Sequence, residues 1–77
     1  MNAKRKNAIN ALRYKLEDLR EELETLRDEE QEYYDNVPEN LQGSDRYSQS
    51  GEAGSSLESA VNDLESVISS LEDIESL

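Results

Sequence analysis

The side chains best able to do chemistry are the carboxylates. Asp28-Glu29-Glu30-Gln31-Glu32 places four acids in five positions, the density from which Mg²⁺-dependent sites are built, but such sites need further ligands converging from a second element. No Glu-x-x-Asp spacing follows anywhere in residues 44–77. A calcium loop starting at Asp35 would carry Pro38 inside it and Asn40 where glycine is required. The ten serines are candidate nucleophiles, yet the chain has no His to activate one and no Cys to act as thiolate or metal ligand. The expected catalytic, cofactor and metal residues are therefore none, and the chain is read as a non-enzyme.

The charge is high and unevenly placed. Residues 1–20 carry six Lys/Arg against Glu17 and Asp18, giving +4, while residues 21–77 carry two Arg against seventeen acids, giving −15 and a net −11. Lys4, Arg5, Lys6, Arg13 and Lys15 form the one basic patch, too few phosphate contacts to offset the acidic remainder, so direct nucleic-acid binding is not expected. Acidity also repels anionic membrane and favours a partner with a basic surface, such as a protein whose groove normally holds nucleic acid. No apolar run exceeds two residues, and Arg13 and Lys15 interrupt what would be the apolar part of a signal sequence after Lys4-Arg5-Lys6. Cytoplasmic residence is the resulting expectation.

Only sixteen of the 77 residues are Leu, Ile or Val, with no Phe or Trp, so any fold must be repetitive and economical. The spacing supplies one. Ile9, Leu12, Leu16, Leu19, Leu23 and Leu26 recur in steps of three and four, continued by Tyr33 and Val37, and form a heptad seam with Ile9 at position a. Helix one is expected over residues 2–35, closed by Val37-Pro38 because proline lacks an amide donor and its predecessor avoids the α region. A second seam reads Leu57, Val61, Leu64, Ile68, Leu71, flanked by Ala60, Val67 and Ile74. Helix two spans 44–76 if Ser44 caps it. The glycines and serines of 48–56 leave open an interruption there, with Ser55 as a later cap and Glu58 completing its capping box.

Antiparallel pairing of residues whose numbers sum to 80 sets Ile9 on Leu71, Leu12 on Ile68, Leu16 on Leu64, Leu19 on Val61 and Leu23 on Leu57, with a turn at 36–43. The same register places Leu26 on Gly54 and Tyr33 on Tyr47. It also builds a charge ladder of Lys6 with Glu72, Arg13 with Glu65, and Arg20 with Glu58, which selects antiparallel over parallel pairing. The expected fold is an all-α, coiled-coil-like two-helix hairpin. Ala60, Val67 and Ile74 remain uncovered beside Ala8 and the stem of Lys15, so the hairpin is expected to pair into a dimeric four-helix bundle. Tyr33, Tyr34 and Tyr47 crowd the hairpin tip, either as a plug or as an aromatic hot spot.

The segment Asp28-Glu29-Glu30-Gln31-Glu32-Tyr33-Tyr34-Asp35-Asn36-Val37-Pro38-Glu39-Asn40-Leu41-Gln42-Gly43-Ser44 resembles one found in short, acidic, uncharacterised proteins of bacteriophages and prophages. The resemblance implies a phage setting, hence a host cytoplasm, and supplies no catalytic residue. Together with the charge it gives the functional expectation of a noncatalytic helical interaction module, an inhibitor or modulator of a host or defence protein. The alternative is a structural coiled-coil assembly or spacer subunit.

Overall fold

The computed structural model describes residues 1–77. Two helices, α1 (Ala3–Asp35) and α2 (Asp45–Glu75), are joined by a turn containing one 3₁₀ turn, Glu39–Leu41. They pack side by side into a rod of 60 × 14 × 14 Å, which is the antiparallel hairpin the heptads specify.

Local chemistry sets the boundaries. Asn2 caps α1, its Oδ1 accepting from the Arg5 amide at 2.8 Å, and so satisfies one of the orphan donors of the first turn. α1 ends where Asn36 and Val37 donate back to Glu32, Tyr33 and Tyr34 carbonyls and Pro38 can donate nothing. Ser44 then caps α2, its Oγ accepting from the Tyr47 amide at 3.2 Å. α2 is continuous from there, so residues 48–56 are helical and Ser55 is not a cap.

The register differs from the sum-of-80 pairing. Gly51 lies under the Tyr34 ring, Gly54 beside Gln31, and Arg27 donates to Glu58 at 2.9 Å; in each pair the numbers sum to 85. The Tyr34 and Tyr47 rings stack with centroids 4.3 Å apart and planes 12° apart. Gly51 is what permits this, because a Cβ there would sit 3.1 Å from Tyr34 Cε2. The expected partners of these groups were Leu26 for Gly54 and Tyr33 for Tyr47, and both are corrected.

The shift rotates α1 about its axis. Its a positions, Ile9, Leu16 and Leu23, remain half-buried against α2, but the second seam row is e, with Arg13, Arg20, Arg27 and Tyr34 half-buried. The d row expected in the core, Leu12, Leu19 and Leu26, is instead exposed at 50%, 50% and 52%. Arginine can take such a place because its aliphatic stem covers apolar surface while the guanidinium reaches the edge. On α2 the expected seam residues do face inward. Val61 and Ile68 are buried, at 1% and 3% exposure, and Leu57, Leu64 and Leu71 are half-buried. Ser50 is the remaining buried residue. The fully buried apolar core thus amounts to two side chains.

Candidate interaction surface

In an antiparallel helix pair, like heptad flanks fall on the same side. One side of the hairpin is polar, and Arg13 and Arg27 of the α1 seam row reach out to it to meet acids of α2. Arg27 bridges Glu58 across the seam and Asp28 beside it, at 2.9 and 3.1 Å. At the other end, Arg13 Nε and Asn10 Nδ2 both donate to the Glu75 carboxylate, and Arg13 Nη1 reaches Glu17 at 3.0 Å. These bonds hold the Glu75 carboxyl below the usual carboxylate range, chiefly through Arg13 and then Asn10. Reciprocally, the Arg13 guanidinium is held more firmly protonated by Glu75.

The expected ladder is therefore rearranged. Glu58 takes Arg27 in place of Arg20, Arg13 takes Glu75 in place of Glu65, and Arg20 turns to Glu24 of its own helix at 3.7 Å. Lys6, Glu65 and Glu72 make no ion pair. The Arg27–Glu58 pair and the seating of Tyr34 on Gly51 share one register, both summing to 85. Two buried polar atoms on this body have no hydrogen-bond partner, Arg20 Nε, whose ion pair with Glu24 is too long for one, and Ser50 Oγ. Ser50 opens onto a polar cleft of about 620 Å³ between the helices, lined also by Arg27, Gln31, Tyr34 and Glu58.

The opposite side is apolar and open. It is made by the α1 d row, Leu12, Leu19, Leu26 and Tyr33, all at least half exposed, together with the α2 flank of Ala60, Val67 and Ile74. Val67 is exposed at 47%, while Ala60 and Ile74 are half-buried. At the tip this side ends in a groove of about 700 Å³ lined by Tyr33, Val37, Pro38, Leu41 and Tyr47. The three tip tyrosines thus divide. Tyr34 and Tyr47 form the plug, and the Tyr34 phenol beside it pushes the Tyr47 phenol above its usual range. Tyr33 points away, 52% exposed. Tyr14, on the outer face, stacks under the Arg13 guanidinium at 4.8 Å.

Sequence reasoning found Ala60, Val67 and Ile74 but assigned the leucines beside them to the core. It also missed Asn10 and Glu75, whose pairing depends on a register that apolar spacing alone does not fix. No group of acidic side chains is arranged to hold a metal ion, and no helix is long and apolar enough to cross a membrane. No family model, no curated protein and no solved structure matches the chain.

Proposed function

We propose that the chain is a noncatalytic helical interaction module that associates through its open leucine side and presents its acidic surface to a basic protein partner. The exposed Leu12, Leu19 and Leu26 carry this reading. Three leucines in a heptad row, half exposed on a body with two buried apolar residues, mark a surface used for contact and not for solvation. The polar cleft is open, Arg27, Gln31 and Glu58 on its wall are already paired, and its one buried unpartnered group, Ser50 Oγ, has no His in the chain to activate it, so it supports no reaction class.

The net charge of −11 directs the remaining surface toward a basic partner, such as a protein groove shaped for nucleic acid, where rows of carboxylates on a rod can follow cationic side chains. With the phage resemblance, this makes the chain an inhibitor or modulator of a host or defence protein, acting in the host cytoplasm. The immobilised protein is expected to capture a basic, nucleic-acid-binding protein from nuclease-treated host lysate, released by salt and by added DNA. A second reading, a spacer or assembly subunit, draws on the 60 Å rod shape. Recovery of the chain alone from the lysate would favour that reading and contradict the inhibitor.

A further inference from the structure

The hairpin leaves surface to be covered. Its accessible area is 5700 Å², about 900 Å² more than a compact monomer of 8.8 kDa would expose. That excess is close to the roughly 800 Å² per partner that a standard protein interface buries. What covers it can be read from the charges along the same side.

The α1 g positions, Ala8, Lys15, Glu22, Glu29 and Asn36, are exposed and flank the d row along its outer edge. Neither Lys15 nor Glu29 makes an ion pair within the chain. Fourteen residues apart on one helix, about 21 Å, they cannot meet each other. The charge also differs between the two ends of the rod. The tip half, residues 23–62, has ten acids against Arg27 and Arg46, giving −8. The other half, residues 1–22 and 63–77, has nine acids against six bases, giving −3.

Resting on the interaction reading above, we propose that the occupant of the leucine side is a second copy of this chain, packed tip-to-tail about a twofold axis perpendicular to the rod, α1 against α1. Tip-to-tail packing sets each −8 half on a −3 half, whereas a twofold along the rod would stack −8 on −8. With α1 residues summing to about 45 opposed, Leu19 meets the partner's Leu26 and Leu12 meets the partner's Tyr33, so all four d positions are covered. In the same register Lys15 flanks the partner's Glu29 twice, and Glu22 meets its own copy at the axis. Sliding by one heptad either way leaves Tyr33 or Leu12 uncovered. The slide that uncovers Leu12 also opposes Glu22 to Glu29. The slide that uncovers Tyr33 instead sets Lys15 on the partner's Glu22, so the charges exclude only the other slide. Coverage of all four d positions is what selects this register and closes the assembly as a self-complementary dimer.

Charge reversal tests this without touching the hairpin seam. Sedimentation equilibrium is expected to show a wild-type dimer whose dissociation constant rises about tenfold in Lys15→Glu and again in Glu29→Lys, since each reverses two exposed pairs. The combined Lys15→Glu, Glu29→Lys protein is expected to return to within about threefold of wild type. Glu22→Gln is expected to tighten the dimer by relieving the like-charge contact at the axis. Helicity by circular dichroism is expected to be equal across the set at concentrations where all are dimeric. A dimer in which the double reversal is no tighter than either single one would overturn the tip-to-tail register while leaving self-association intact. A monomer at high micromolar concentration in moderate salt would overturn the second copy as occupant and leave the face to a foreign helix.

Discussion

Gly51 and Gly54 lie three residues apart on α2 but meet different neighbours. A Cβ on Gly54 would sit 4.0 Å from Gln31 Oε1, ordinary contact, whereas one on Gly51 would press to 3.1 Å from the Tyr34 ring, itself held by the stack on Tyr47. Replacing helical glycine by alanine stabilises by about 1 kcal/mol where space allows. Gly54→Ala is therefore expected to raise the melting temperature by roughly 4–8 °C. Gly51→Ala is expected to lose most or all of that gain to displacement of the ring, and equal gains for both in thermal unfolding would contradict the seating of Tyr34. Glu75 offers a pH test. Its folded carboxyl is held below the unfolded value by Arg13 and Asn10, so the bond's contribution is present above the ordinary glutamate range and is lost as pH falls through the lowered folded value. Glu75→Gln is expected to be less stable than wild type at neutral pH, with the difference closing on acidification. A difference independent of pH would remove the claim, because the other carboxylates titrate in both proteins.

At the scale of the helix, spacing, the Ser44 cap and pairing direction were legible in the sequence, and the rotation of α1 was not. Ile9, Leu16 and Leu23 belong to both the a/d and the a/e seams, so apolar spacing cannot choose between them. The choice falls to Tyr34 on Gly51 and to the stems of Arg13, Arg20 and Arg27, which act as core residues despite their charge. Ser44 was readable as a cap because Ser before Asp at a helix start has a direct electrostatic cause. The Gly/Ser window of 48–56 is helical but poorly supported. It combines low helix propensity with an unpartnered Ser50 Oγ under the seam. Its amides are expected to exchange faster than those of residues 61–68, where Val61 and Ile68 anchor α2. Equal protection across both stretches would show that the tyrosine stack compensates for the glycines.

At the scale of the molecule, a rod with two buried apolar side chains leaves a row of half-exposed leucines on one side. Covering Leu12, Leu19, Leu26 and Val67 gives a second hydrophobic layer that each hairpin lacks, at about 25 cal/mol per Å² of apolar area removed from water. Opposing it is the net −11 on each chain, a repulsion between surface charges that salt screens. Association is accordingly expected to strengthen between low and moderate ionic strength, the reverse of what an assembly held by opposite charges would show. It is also expected to fail in Leu19→Glu, Leu26→Glu, which places four like charges in the covered layer of a dimer. The most direct measurement is the mass of the wild-type chain by sedimentation equilibrium at micromolar concentration in moderate salt, run beside that variant. Twice the chain mass is expected for the wild type, and a monomer of reduced helicity for the variant. A stable, fully helical wild-type monomer of 8.8 kDa, unchanged by the two substitutions, would contradict the dimer.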